Sequence, residues 1–178
     1  MALARINNIH HSAYRCRDAR ETVLWYQKML KMDFVLAIAE DQVPSTKEPD
    51  PYMHVFMDAG GGNVLAFFEL PTKPEMGRDP NTPVWVQHIA FKVKDRATLL
   101  EYRAHLEANR VEVLGVTDHG AFHSIYFFDP NGHRLELAVD TATPEMNARL
   151  DAVKWDMLEE WSRTKKAPQH AAWMHEKH

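Results

Sequence analysis

Two histidines head nearly the same octapeptide. His11-Ser-Ala-Tyr-Arg-Cys-Arg-Asp18 aligns without a gap on His88-Ile-Ala-Phe-Lys-Val-Lys-Asp95. The histidine, alanine and aspartate are identical, and all the other pairs except Ser12/Ile89 are physically similar. Each half of the chain then approaches its end with a glutamate in an extended, apolar stretch: Phe68-Glu69-Leu70 and Leu135-Glu136-Leu137. Imidazole and carboxylate together suit Fe(II), Ni(II), Zn(II) or Mn(II). A lone histidine or glutamate on a strand is ordinarily a surface or satisfied core residue. A repeated pair of each is more readily explained as a ligand set.

The elements that would position these groups repeat as well. Amphipathic stretches at 19–31 and 96–108 carry apolar residues at helical spacing, with Asp18 and Asp95 placed as N-caps. Each is followed by three extended segments, at 34–39, 54–58 and 64–70 and again at 111–116, 123–128 and 134–139. Gly60-Gly61-Gly62-Asn63 and Asp129-Pro130-Asn131-Gly132 supply the tight turn before the last segment of each half. Each half therefore reads βαβββ. The fold class is α+β: two repeated βαβββ modules (6–71 and 84–140) forming a curved mixed sheet, in one domain spanning 1–140. A C-terminal helix and tail follow at 141–178.

Side-chain alternation along a strand places His11 with Ala13 and Arg15, and His88 with Ala90 and Lys92. The same alternation places Glu136 with Arg134 and Ala138, and Glu69 with Phe67. Both glutamates are expected to point away from the helix of their own half and to converge with the two histidines. Val35, Phe56, Phe67, Trp85 and Phe128 are candidates to line an apolar pocket. Residues 40–51, polar and holding three prolines, are long enough to form a lid, and 71–83 reads as a linker. Thr143 and Pro144 open a last helix. Its apolar stripe of Met146, Leu150, Val153, Met157, Leu158 and Trp161 is expected to pack on a sheet or on a second copy of the chain, as a homodimer. The tail at 165–178 holds Trp173 and the histidines His170, His175 and His178.

Composition narrows the function. The 178 residues are 45% hydrophobic and 26% charged, with a net charge of −4, so no basic surplus exists to bind nucleic acid. No apolar run approaches the ~18 residues of a membrane span. A single cysteine, Cys16, precludes an intrachain disulfide and points to the cytoplasm. The expected partner is a small-molecule substrate.

At these residues the sequence resembles the vicinal-oxygen-chelate superfamily of glyoxalases, bleomycin- and fosfomycin-resistance proteins and extradiol dioxygenases. The likeness covers residues 6–140. It rests on the two His-x-Ala-x-(Arg/Lys)-x-x-Asp openings, on Trp25-Tyr26, and on Asp129-Pro130-Asn131-Gly132 with Glu136. It implies one divalent metal on His11, His88 and Glu136. The run Thr117-Asp118-His119, Ile125-Tyr126, Asp129 to Gly132 and Glu136 fits the extradiol dioxygenase signature. That implies Fe(II), a catechol-like substrate, and catalytic roles for His119 and Tyr126. Glu69 is similarly placed to a fourth metal ligand of glyoxalase I, which implies the alternative of a Ni(II) or Zn(II) isomerase with Glu69 as ligand and proton shuttle. A non-catalytic binding or resistance protein is a further alternative. An octahedral ion with three protein ligands keeps places for a bidentate diol and dioxygen; a fourth ligand removes one. Glu69 therefore decides between the two enzymes.

Overall fold

A computed structural model of the chain describes residues 3–168, 170 and 172–175. His178 lies outside the described residues. The chain divides into two compact units, Met1–His88 with Phe128–Arg134, and Ile89–Phe127 with Leu135–His178.

The first unit holds β1 (Ser12–Cys16), α1 (Ala19–Leu30), β2 (Asp33–Gln42), β3 (Pro49–Asp58) and β4 (Val64–Glu69). The sheet order is β1-β4-β3-β2, with β1 parallel to β4 and the other pairs antiparallel. Asp18 caps α1 as expected, its side chain accepting from the Glu21 amide at 2.7 Å. Lys31 closes the helix in the left-handed region at φ 58°. The apolar face of α1 buries Val23, Tyr26, Met29 and Leu30. Val55, Met57, Leu65 and Phe67 are buried on the helix-facing side of the sheet, with the Tyr26 and Phe67 rings 4.9 Å apart.

The second unit repeats this plan. Its elements are β5 (Ile89–Lys92), α2 (Arg96–Ala108), β6 (Leu114–Asp118), β7 (Phe122–Phe128) and β8 (Arg134–Asp140), then α3 (Pro144–Thr164). The order β5-β8-β7-β6, with β5 parallel to β8, is the permutation of the first sheet. Asp95 caps α2 through the Thr98 amide. Leu99 and Leu106 of α2 are fully buried, as are Ile125 and Leu135 of the sheet. Residues 172–175 form a 3-10 turn.

Two expectations change. The lid at 40–51 is mostly ladder: Glu40 pairs with Tyr52 and Gln42 with Pro49, leaving a short turn around Val43–Glu48. Proline is tolerated there because it stands first in β3 and beside a register shift. The α3 stripe is only partly covered. Met146, Leu150, Val153 and Met157 are half-buried, Leu158 and Trp161 are exposed, and no residue of α3 is fully buried.

Candidate active site

His11 and His88 each stand one residue before the first strand of their half. Register fixes the faces. In the first sheet Ala13 pairs with Ala66 and Arg15 with Phe68, while Cys16 pairs with Glu69. Ala66 in turn pairs with Phe56, and Phe68 with His54. His11, Ala13 and Arg15 thus share a face with Ala66, Phe68, His54 and Phe56, away from α1. The ring contacts agree: His11 lies edge-on to Phe56 at 5.8 Å and to His54 at 6.1 Å. His10 and His11 are hydrogen-bonded Nδ1 to Nδ1 at 2.8 Å.

Glu69 is on the other face, contrary to the expectation. Its Oε2 accepts from the Ala19 amide, the first N–H of α1, at 2.7 Å. A carboxylate at a helix N-terminus meets both an orphan donor and the positive end of the helix dipole. Phe67 shares that face and belongs to the core against Tyr26 rather than to a pocket. Val35 and Trp85, two other pocket candidates, are largely exposed. The repeat partner of Glu136 is Ala66: Ala13 matches Ala90, Ala13 pairs with Ala66, and Ala90 pairs with Glu136.

In the second unit Glu136 shares the face of Ala90 and is buried. The Ser124 hydroxyl donates to Glu136 Oε1, so Ser124 projects from that same face. Alternation along β7 then carries Tyr126 to the Glu136 face, with Ile125 and Phe127 buried behind. Tyr126 Oη and His119 Nε2 are hydrogen-bonded at 2.7 Å. The second unit therefore gathers Glu136, Ser124, Tyr126 and His119 on one side of its sheet.

His88 is exposed, and its Nδ1 is 3.0 Å from the Val86 carbonyl. A carbonyl only accepts, so Nδ1 carries the hydrogen, and in a neutral ring the lone pair sits on Nε2. That is the form in which a histidine ligates a metal with its other nitrogen anchored. The Ser124 bond gives Glu136 comparable support. The donor chemistry of these side chains suits a divalent ion. Among the described residues, no group of three or more His, Cys, Asp or Glu side chains is gathered as a metal cluster.

The turn Asp129-Pro130-Asn131-Gly132 has a structural role within the first unit. Tyr26 Oη donates to Asp129 Oδ2 at 3.1 Å, and Asn131 Oδ1 accepts from the Arg17 amide at 2.9 Å. Burial, then the adjacent Asp129 carboxylate, pushes the Tyr26 phenol well above its ordinary value.

Two residues escaped the sequence analysis. Ser124 lies two positions before Tyr126, and alternation from the tyrosine would have found it. His54 is 8% exposed, its ring stacked on Phe68 at 3.5 Å between centroids. Burial, and to a lesser degree His11, holds its pKa below the ordinary value. It sits in the apolar run Val-Phe-Met, where nothing in composition distinguishes it from core.

The model of the Glyoxalase/Bleomycin resistance protein/Dioxygenase superfamily matches residues 8–137. The chain belongs to that superfamily. A curated relative, "Putative ring-cleaving dioxygenase MhqA" of Bacillus subtilis, is 26% identical over 97 residues, 54% of this chain. The match spans 31% of that relative's length. Among solved structures, the trypanothione-dependent glyoxalase I of Leishmania major superposes with a TM-score of 0.57 at 21% identity, covering 88% of this chain and 99% of that one. The fosfomycin resistance protein FosX of Listeria monocytogenes, solved with Mn(II), gives 0.55 at 21% identity, covering 81% and 99%. These likenesses establish the shared fold. No helix among the described residues is long and apolar enough to cross a membrane.

Proposed function

We propose that this chain is a metal-dependent ring-cleaving dioxygenase of the extradiol type, acting on a catechol-like aromatic diol, with His11, His88 and Glu136 as ligands to Fe(II). The observation that carries the reading is a pair of hydrogen bonds on one face of β7. Ser124 is bonded to Glu136, and Tyr126, on the same face by alternation, is bonded to His119. Fe(II), when bound, supplies the redox-active centre at which a diol and dioxygen react. The protein's part is to hold and move protons beside it. A phenol and an imidazole 2.7 Å apart can pass a proton between Oη and Nε2 as charge develops on a substrate oxygen. Ser124 fixes the Glu136 carboxylate, which keeps its geometry through turnover.

Glu69 supports the same choice. The isomerase reading needs it as a fourth ligand, and its carboxylate instead caps α1 from the opposite face of β4. A three-ligand set remains, as in non-haem Fe(II) oxygenases. The partial match to a relative named as a ring-cleaving dioxygenase points the same way.

The test is anaerobic loading of the full chain with Fe(II), followed by oxygen-electrode traces against a panel of catechols and other aromatic diols. Uptake stoichiometric with ring opening is expected. Tyr126→Phe should slow it by about a hundredfold or more at unchanged metal content, the usual effect of removing a proton-transfer group. Absence of oxygen uptake with every diol overturns the assignment.

A further inference from the structure

Helix α3 lies beyond residues 8–137, which match the superfamily, so nothing in the shared fold accounts for its surface. Two of its sides are engaged. Met146, Leu150, Val153 and Met157, at alternating steps of four and three residues, form the half-buried stripe. The tail folds back along a second side: the Arg149 guanidinium stacks on the Trp173 ring at 3.8 Å, and His170 meets Glu160 at 3.4 Å. A third side carries Trp155, Leu158 and Trp161, which are 67%, 53% and 46% exposed. Arg149 and Leu158 are about two and a half turns apart, so the tail and this row stand on opposite sides of the helix.

A contiguous apolar row on an otherwise charged helix marks a surface made for another molecule. Tryptophan is among the residues that most often anchor such contacts. The charges choose the occupant. Asp151 and Lys165 stand about two turns before and after Leu158 on the same stripe. A second α3 laid antiparallel across Leu158 sets that leucine on the partner's Leu158, Trp155 beside the partner's Trp161, and Asp151 opposite the partner's Lys165. The last two contacts occur twice. A parallel pair would oppose like charges at both ends. Asp151 also meets Lys154 of its own helix, an exposed pair of the kind that is worth little. A lipid surface fits poorly, because α3 carries five carboxylates against three cations, whereas a helix lying on a membrane is rich in lysine and arginine.

We propose that α3 is a homodimerisation helix, two copies of this chain pairing antiparallel about Leu158 through Trp155, Leu158 and Trp161, with Asp151–Lys165 pairs at both ends. A two-fold contact must be self-complementary, and an acid at one end of the row with a base at the other meets that condition. One pair of helices is a contact at the small end of stable interfaces, which bury about 800 Å² per partner, so the dimer is expected to form in the micromolar range. The pairing does not depend on the ring-cleaving chemistry.

Sedimentation velocity of the full chain from about 1 to about 200 µM tests it, a span that brackets micromolar association. Wild type should move from 20.6 kDa toward twice that mass as concentration rises. Leu158→Arg sets two guanidinium groups against each other on the two-fold axis and should weaken association about a hundredfold or more. Its melting temperature at the dilute end should equal that of wild type, since Leu158 is exposed. Trp155→Gln repeats the test with a neutral side chain on the same edge and guards against misfolding. Asp151→Lys and Lys165→Asp should each weaken the dimer about tenfold, and the double variant should return it to within about twofold of wild type, because opposite charges face each other again. A wild-type chain that stays at 20.6 kDa throughout overturns the proposal. An assembly whose mass neither Leu158→Arg nor Trp155→Gln changes is held by another surface and also overturns it. A double variant no better than either single one overturns the antiparallel pairing. A monomeric chain whose tryptophan emission shifts to the blue with phosphatidylserine vesicles overturns the dimer in favour of a lipid surface.

Discussion

Glu136 is 3% exposed, and a buried carboxylate is tolerated only when its oxygens are engaged. The Ser124 hydroxyl meets one of them. Ser124→Ala should leave the fold intact and lower metal affinity by about 10- to 100-fold, the usual cost of losing an outer partner of a ligand. Competition against a chromophoric chelator measures it, and an affinity equal to wild type would detach Ser124 from the metal. A second residue-scale expectation concerns Cys16, 1% exposed on the helix side of β1. Burial above all pushes its thiol from an ordinary 9.0 up to about 11. Between those values the unfolded chain has lost the proton and the folded chain keeps it. The unfolded state then binds fewer protons, so stability declines as pH rises from about 9 to about 11. Below that window iodoacetamide should leave Cys16 intact until denaturant is added. Alkylation at the rate of an unfolded control, followed by mass spectrometry, would contradict the burial.

At the scale of elements, legibility followed alternation. β8 reads Arg-Leu-Glu-Leu-Ala-Val-Asp, strictly alternating, and the face of Glu136 could be taken from it directly. β4 reads Val-Leu-Ala-Phe-Phe-Glu, an apolar run with no period of two, so its faces depend on register against β1 and β3, which is a tertiary fact. That is why Glu69 was expected beside His11 and is found on the Ala19 amide. Helix bounds and caps were legible because a cap is local: an aspartate three residues before the amide it accepts from, twice. Glu69→Ala tests the reassignment. It should cost about 1.5–3 kcal/mol, the range for a hydrogen bond to a charged group, read as a lower urea midpoint, and leave metal content at the wild-type level. Loss of metal with unchanged stability would restore Glu69 to the ligand set.

For the whole molecule, the duplicated permutation β1-β4-β3-β2 and β5-β8-β7-β6 makes His11 and His88 repeat equivalents, and Ala66 the counterpart of Glu136. Symmetry thus offers four equivalent positions, and three of them carry the side chains proposed above as ligands. A metal held by those three, and not by the unfolded chain, must stabilise the fold by mass action. At free metal about a hundredfold above the dissociation constant the gain is about 2.7 kcal/mol. For a chain of this size each kcal/mol moves the melting temperature by about 2–4 °C, so Fe(II) under argon, or Mn(II) in air, should raise it by about 5–11 °C. His11→Ala, His88→Ala and Glu136→Ala should each abolish most of that rise, whereas Glu69→Ala and His54→Phe should lower the starting temperature and keep the rise. Differential scanning fluorimetry with and without metal separates the two patterns. A full shift surviving in any one of the first three variants would remove that residue from the ligand set, and survival in all three would remove the metal centre proposed for this chain.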